Sequence, residues 1–300
     1  MWVALGQGSA ALGSLVGVRL LTDLLPPVHY GELALGTTAA ILVGQLLLGP
    51  LSQGAMRYYV PALERRELGQ FFKGVARLGA ITIAGIGLLL LIAFSIIYSL
   101  QRRWFWLVLA SFSYAVLQRV IAVLNAIQNV AQNRGVFALH IAAPMWLRVG
   151  MAIAFISLLE PSSLFAMMGY VTASFIVLLS ELLFFWRKII GGQAYHQPML
   201  GDAREWSRQI FAYSWPFAAW GLFSFSLLSS DCWALGMLAG LEAAGMYASL
   251  YQIAAYPVQF ISNIATQFLE PVIYSRAGDC ATCSGRKSQN ALGRCLSAHV

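Results

Sequence analysis

The sequence predicts an all-α polytopic membrane protein, and three observations support this prediction. Of the 300 residues, 59% are hydrophobic and only 10% are charged. The mean hydropathy is +0.70, whereas a soluble domain, whose surface must face water, carries about 25% charged residues. Apolar runs of about 20 residues, the length that crosses a bilayer as a helix, recur along the chain. We therefore expect about eight transmembrane helices and no soluble domain.

The apolar runs define the predicted spans, the first of which includes the N-terminus. The opening stretch "MWVALGQGSAALG" has neither a cationic start nor a small-residue cleavage site. We interpret it as a retained helix rather than a signal peptide. In chain order the predicted spans are Trp2–Leu25, Leu33–Ala55, Gly74–Leu100, Trp104–Ile127, Val136–Leu159, Leu164–Trp186, Ile210–Asp231 and Ala243–Leu269.

Lysine and arginine are distributed unevenly between the two sets of loops. The loops after even-numbered spans and the terminal tail hold 13 of them: Arg57, Arg65, Arg66, Lys73, Arg134, Arg187, Lys188, Arg204, Arg208, Arg276, Arg286, Lys287 and Arg294. The loops after odd-numbered spans hold only Arg102 and Arg103. Because positive loops stay in the cytoplasm, the N-terminus and the even loops are predicted to be cytoplasmic. The same loops explain the net charge of +7 without nucleic acid as a partner.

The connections between spans are short. The stretch "ALERRELGQFFKG" (Ala62–Gly74) mixes charges with Leu and Phe. It fits either an interfacial amphipathic segment or an ordinary loop. The longest loop, Arg187–Gln209, contains the turn-rich "GGQAYHQP", which is typical of a linker. Since no loop can hold a soluble domain, we expect the function to lie among the helices.

A weak internal repeat at an offset of 214 residues predicts two lobes of the same orientation. It aligns Gly31 with Gly245 and Ala34 with Ala248. Internal repeats of this kind are frequent in transporters. The last two spans would then begin a second copy of a six-helix unit.

The repeat leads to a predicted domain organisation. The parts are a first six-helix lobe (1–190), a cytoplasmic linker (191–209), the first two helices of an incomplete second lobe (210–274) and a polar cytoplasmic tail (275–300). We expect the tail to be disordered or to result from truncation with a shifted reading frame.

Metal sites and enzyme motifs are not predicted. "CATC" (Cys280–Cys283) has the spacing of half a zinc site, which needs four ligands, and only Cys295 and His299 are available nearby to complete it. We therefore expect no metal, no cofactor and no disulfide framework. The sequence contains neither GxxxxGK[ST] nor HExxH, and the outer loops are short, so we predict that the protein is not an enzyme.

Three stretches resemble a known family. They are "VRLLTDLLPPVHYGELAL" (Val18–Leu35), "SQGAMRYYVPA" (Ser52–Ala62) and "YSWPFAAWG…SSDCWALG…AAGMYASLYQIA" (Tyr213–Ala254). Together they resemble bacterial polysaccharide exporters of the oligosaccharide-flippase type, in the multidrug/oligosaccharidyl-lipid/polysaccharide exporter superfamily. The resemblance covers roughly residues 1–279.

The resemblance implies a fold and a function. The fold is two six-helix lobes around a central cavity. The function is to move undecaprenyl-pyrophosphate-linked oligosaccharide units, such as lipopolysaccharide O-antigen, to the outer leaflet of the bacterial cytoplasmic (inner) membrane. The implied partners are this lipid-linked oligosaccharide, membrane lipids and other polysaccharide-assembly membrane proteins. The sequence departs from this pattern in stopping after eight spans, so the chain could be an inactive truncated copy. A second departure is Cys232, where a basic residue is expected.

Arg119 and Arg148 are the leading candidates for a substrate-binding cavity. They fall in the middle of the fourth and fifth spans, where a charge costs about 2.5–3.5 kcal/mol on insertion scales. Arginine forks match phosphate oxygens, so a lipid pyrophosphate could bind them. The alternative is that they bond helix-end carbonyls or a buried acid such as Glu181 and simply hold helices together.

Four other residues have narrower candidate roles. Arg19, with Asp23 four residues later on the same helical face, fits a local ion pair or the outer mouth of the substrate path. Asp231 is expected at the outer end of the seventh span, where it needs a partner. Pro216, placed in the first two turns of that span, fits either a hinge or a helix start. Glu181 could relay a proton or cation, but we expect it to pair with an arginine.

Two other functions are compatible with the sequence. One is a cation-coupled multidrug exporter of the same fold, which would need acidic groups in its cavity. The other is a membrane glycan polymerase, which would need larger outer loops.

Overall fold

The described part of the chain is helical. A computed structural model describes residues 2–100, 102–131, 134–187 and 202–262, together with 265 and 269, and these contain no strand. The helices are α1 (Trp2–Leu24), α2 (Pro27–Val43), α3 (Gly49–Glu64), α4 (Leu68–Leu100), α5 (Arg102–Val130), α6 (Arg134–Leu158), α7 (Ser163–Phe185) and α8 (Ala203–Leu238). Residues 241–254 form a further helix, α9. The predicted all-α architecture is confirmed.

The chain divides into two compact units, Met1–Ala254 and Ala255–Val300. The first contains α1 to α9. In the second, the described residues 255–262, 265 and 269 are helical. The predicted tail 275–300 and its cysteines lie outside the described residues, as does the first part of the predicted linker.

Several helices are long and apolar enough to cross a membrane. Within the described residues they are Trp104–Val130, Gly135–Leu158, Ser163–Phe185 and Ala203–Leu238. The bent pair Pro27–Leu46 and Gly49–Glu64 adds a fifth span if it is counted as one. Large apolar side chains on the helix surfaces, such as Leu227 (81% exposed) and Leu238 (88% exposed), are suited to lipid rather than water. The protein is therefore a multi-pass membrane protein.

The second predicted span differs from the observed helices in its limits. The helical segment begins at Pro27, not Leu33, because proline at the first helical position loses no intrahelical hydrogen bond. It then passes through a π-helical turn, Gly44–Leu48, and continues as α3 to Glu64. The bend at this turn is 42°, and π-helical turns are a known cause of sharp kinks.

The structure forms neither a separate segment nor a long loop over Ala62–Gly74, and a position at the membrane interface stays a prediction. The first residues of this stretch end α3, and its last belong to α4, which begins at Leu68. The turn between the helices is closed by a hydrogen bond from the Glu67 N–H to the Ala62 carbonyl, 2.9 Å. Arg66 has a positive φ of 60° in this turn.

Helix α8 starts earlier than predicted. The Asp202 carboxylate caps it by accepting a hydrogen bond from the Arg204 N–H, 2.9 Å. The helix therefore begins at Ala203, seven residues before Ile210. As a result Pro216 lies in the fourth turn, and its predicted place in the first two turns is wrong.

Helices α5 and α7 run parallel, with a fixed register. The rings of Tyr114 and Tyr170 are 5.7 Å apart, and the Gln118 amide donates to the Ser174 hydroxyl over 2.9 Å. The two residues of each pair are 56 positions apart in the sequence, and a constant separation of this kind is what parallel helices give. We call the line of facing residues on α5 and α7 the α5–α7 seam.

A close contact joins α2 to α9 through two glycines. A side chain at Gly31 would overlap the Leu241 carbonyl, and one at Gly245 would overlap the Pro27 carbonyl. The offset of 214 that relates Gly31 to Gly245 also relates Pro27 to Leu241. The contact is thus reciprocal, as a twofold relation between the two glycines requires.

Candidate functional site

Arg148 on α6 is held by aromatic groups of the α5–α7 seam. Its Nη1 donates to the Tyr114 hydroxyl over 2.8 Å, and its Nη2 contacts the Met145 sulfur at 3.3 Å. The guanidinium carbon lies 4.9 Å from the centre of the Tyr170 ring, within the range of a cation–π interaction. These contacts bring α5, α6 and α7 together at one level and fix the direction of the positive charge.

Arg119 on α5 lies against the π-helical turn between α2 and α3. Its guanidinium is so close to Gly44 that a Cβ there would overlap Nε. The side chain is half-buried. Among the described residues, no carboxylate lies within ion-pairing distance of it. Arg119 therefore places a positive charge, with no carboxylate paired to it, beside the bend between α2 and α3.

The two candidate arginines share a neighbour. Tyr114, which accepts a hydrogen bond from Arg148, lies five residues before Arg119 on α5, about 7.5 Å along the helix axis. The structure thus brings Arg119 and Arg148 to the same part of α5, near the Tyr114–Tyr170 pair of the α5–α7 seam. Their predicted role as substrate-binding residues stays a prediction.

The expected pairing of Glu181 with an arginine is wrong within the described residues. The Glu181 side chain is fully buried, and neither carboxylate oxygen has a hydrogen-bond partner. The α5–α7 register places Asn125 opposite Glu181, whereas Arg119 lies six residues earlier on α5. Arg148 contacts Tyr170, three turns before Glu181 on α7.

Arg19 and Asp231 have partners away from this region. Arg19 Nε lies 3.3 Å from an Asp23 carboxylate oxygen, and both side chains are more than half exposed. The ion pair predicted from the four-residue spacing of Arg19 and Asp23 is therefore formed. Asp231 accepts a hydrogen bond from the Tyr247 hydroxyl, 3.1 Å. Asp231 was expected to need a partner, and the adjacent Cys232 is not basic. Tyr247, on the neighbouring helix α9, is that partner.

Pro216 lies in the interior of α8, on an exposed face. Proline cannot donate to the carbonyl four residues earlier, which weakens the helix at that point. The Ser214 hydroxyl two residues before it is buried and has no partner within the described part of the chain. A hinge here stays a prediction.

Glu32 is a buried acid that the sequence interpretation missed. Its carboxylate lies 3.1 Å from His29 Nδ1 and accepts a hydrogen bond from the Ser163 hydroxyl at the start of α7. It ties α2 to the start of α7. The signal was visible in "HYGEL", where His29 and Glu32 are three residues apart on one helical face.

No metal centre is formed by the described residues, where no group of three or more His, Cys, Asp or Glu side chains comes together. The half zinc motif at Cys280 and Cys283 lies outside them.

Comparison with solved structures gives the fold. The chain is similar to a MOP superfamily transporter from Pyrococcus furiosus Vc1 (DSM3638), with a TM-score of 0.50, 18% identity and coverage of 89% of this chain and 66% of the other. It thus spans just under two thirds of that relative. Two further structures are a multidrug resistance MATE family transporter of the MOP superfamily in an outward-facing conformation (TM-score 0.48, 17% identity, coverage 89% and 68%) and a MATE protein in complex with Br-NRF (TM-score 0.48, 16% identity, coverage 89% and 68%).

Sequence comparison gives the family. No curated protein sequence matches the chain. The family model described as "Polysaccharide biosynthesis protein" matches residues 1–275. Since this match covers most of the chain, the protein belongs to the polysaccharide biosynthesis protein family.

Proposed function

We propose that the protein is a membrane transporter that flips undecaprenyl-pyrophosphate-linked oligosaccharide units across the bacterial cytoplasmic membrane for surface polysaccharide assembly. The family match over residues 1–275 is the observation that supports this most strongly. The helical fold, shared with a MOP superfamily transporter, is consistent with it. Other polysaccharide-assembly membrane proteins are the expected partners.

The chemistry of the proposal depends on Arg119 and Arg148. The guanidinium group stays charged and presents planar donors that match phosphate oxygens. Arg148 is fixed in direction by Tyr114 and Tyr170, and no described acid neutralises Arg119. A pyrophosphate group would bring the missing negative charge, while the polyprenyl chain stays in lipid.

Transport would follow alternating access, in which two lobes rock about the substrate site. No covalent step is needed, which agrees with the prediction that the protein is not an enzyme. Proton or sodium gradients could drive the cycle.

A cation-coupled drug exporter is the competing function, and it requires acidic groups free to receive a cation. Among the described acids, Asp23 is paired with Arg19 and Asp231 with Tyr247. Glu181 has no hydrogen-bond partner within the described residues, but its side chain is fully buried. The arrangement around the two half-buried arginines favours an anionic headgroup.

Charge-neutral variants test the proposal in cells. In a bacterial strain that lacks its own flippase, the protein is expected to restore surface polysaccharide. Arg119→Gln and Arg148→Gln are each expected to abolish this at normal expression, because the headgroup loses a bidentate partner. Surface polysaccharide is measured by gel electrophoresis and antibody staining.

Arg77→Gln is the matched control, since Arg77 is exposed on α4. It should restore export as well as the unsubstituted protein does. Full export by both Arg119→Gln and Arg148→Gln would show that these arginines do not bind the substrate.

A further inference from the structure

A groove of about 330 Å³ lies on the surface of α7, away from the α5–α7 seam. We call it the α7 groove. Its lining positions follow one another at intervals of one, three or four residues, so they form one face of the helix. This face is about 16.5 Å long. Within the described part of the chain, the lining residues are Ile176, Leu179, Ser180, Leu183, Phe184 and Arg187.

The α7 groove is an apolar row that ends in a positive charge. Its four large apolar side chains are between 42% and 55% exposed. Arg187, at the end of the row, is exposed, and no described carboxylate forms an ion pair with it. The adjacent Trp186 is also exposed, and tryptophan is enriched where a helix leaves the hydrocarbon of the bilayer. The charge therefore lies at the level of the lipid headgroups.

The floor of the α7 groove is fixed by His140 on α6. Its Nδ1 lies 2.9 Å from the Val136 carbonyl, and its Nε2 lies 3.3 Å from the Ser180 hydroxyl. Its ring packs edge-on against Phe184, with 5.7 Å between the ring centres. A neutral imidazole satisfies both hydrogen bonds, by donating from Nδ1 and accepting at Nε2. His140 thus shapes the groove, and Arg187 supplies its charge.

The dimensions of the α7 groove match one leaflet of a membrane. The apolar part, from Ile176 to Phe184, is about 12 Å long, and the hydrocarbon of one leaflet is about 15 Å deep. The distribution of Lys and Arg predicts that this end of α7 faces the cytoplasm. The cytoplasmic leaflet is rich in anionic lipids, and basic pockets on that side bind anionic headgroups.

We propose that the α7 groove binds one anionic glycerophospholipid of the cytoplasmic leaflet, such as phosphatidylglycerol. Its phosphate contacts the Arg187 guanidinium, whose planar donors match phosphate oxygens, and one acyl chain lies along the apolar row. A zwitterionic lipid brings an ammonium group that offsets its phosphate. A second copy of this chain would place the same cation against itself. The site is independent of which substrate the protein carries.

The test is photo-cross-linking of the purified full chain in detergent, at constant ionic strength. The probe is phosphatidylglycerol with a diazirine on one acyl chain, compared with a phosphatidylcholine that has the same chains. Mass spectrometry of the peptides locates and quantifies the label. Phosphatidylglycerol is expected to label residues 176–187 about fivefold more than phosphatidylcholine, which corresponds to about 1 kcal/mol for one basic residue near the membrane surface.

Arg187→Gln is expected to lower labelling by phosphatidylglycerol to the level of phosphatidylcholine. Arg77→Gln is the matched control, because it removes the same charge from an exposed position on α4. It should label as the unsubstituted protein does. Leu183→Gln places a polar group in the apolar row and should reduce labelling by both probes. Leu183 is 55% exposed, so this variant is expected to fold.

Four results would overturn the proposal. Two are equal labelling by phosphatidylglycerol and phosphatidylcholine, and equal labelling of Arg187→Gln and Arg77→Gln. The third is displacement of the probe by undecaprenyl phosphate at lower concentration than by unlabelled phosphatidylglycerol, which would assign the groove to the polyprenyl carrier. The fourth is a dimer of the chain that shields residues 176–187 from both probes, which would assign the groove to a second copy.

Discussion

Gly31→Ala and Gly245→Ala are each expected to destabilise the protein by about 1–3 kcal/mol, the cost of overpacking a close contact. At Gly31 the added methyl group would overlap the Leu241 carbonyl, and at Gly245 it would overlap the Pro27 carbonyl. These neighbours are backbone atoms, so they cannot rotate away as a flexible side chain would. Helices α2 and α9 would have to separate. Thermal unfolding in detergent measures the loss.

The same substitution at a glycine with free space is the control. Gly150 on α6 has no heavy atom within 4 Å of the place that a Cβ would take. Gly150→Ala is therefore expected to leave stability unchanged or to raise it slightly, since alanine favours the helix. If Gly31→Ala and Gly245→Ala unfold at the same temperature as Gly150→Ala, the close contact between α2 and α9 is not present in the membrane protein.

Trp206→Ala is expected to have the largest effect on stability, about 3–5 kcal/mol, as for other buried aromatic side chains. Trp206 is 3% exposed and packs α8 against Tyr58 of α3 and Phe71 of α4. Its indole N–H donates to a Glu67 carboxylate oxygen over 3.0 Å. The ring packs edge-on against Phe71 at 5.9 Å and lies beneath the guanidinium of Arg65 at 5.7 Å.

Trp220→Ala is the matched control on the same helix. The Trp220 side chain is 71% exposed, so its removal is expected to change stability by less than about 0.5 kcal/mol. Both variants are compared by thermal unfolding in the same detergent. Equal losses for Trp206→Ala and Trp220→Ala would contradict the anchoring of α8 through Trp206.

The sequence was most informative where apolar length alone decides the structure. The runs predicted for α5, α6 and α7 differ from the observed helices by only one to three residues at each end. Limits set by local chemistry were harder to predict. The start of α8 depends on the Asp202 cap, and the polar residues after it resembled a loop. The break between α2 and α3 is a π-helical turn, which has no clear sequence signature.

The candidate site was predictable only in part. Arg119 and Arg148 could be identified because charged residues are rare inside apolar runs. Their neighbours could not, since the sequence does not give the register between helices. That register decides that Arg148 contacts Tyr114 and Tyr170. The arginine expected to pair with Glu181 does not reach it, since neither Glu181 oxygen has a hydrogen-bond partner within the described residues.

The most direct test of the proposed function is a translocation measurement with the purified protein in liposomes. Undecaprenyl-pyrophosphate carrying a fluorescent oligosaccharide is placed in both leaflets, and a membrane-impermeant reagent quenches the label that reaches the outside. The proposal predicts protein-dependent loss of the protected fluorescence, and Arg119→Gln and Arg148→Gln should slow it. Absence of lipid translocation, together with uptake of a cationic drug by the same liposomes, would contradict the proposal and identify a drug exporter.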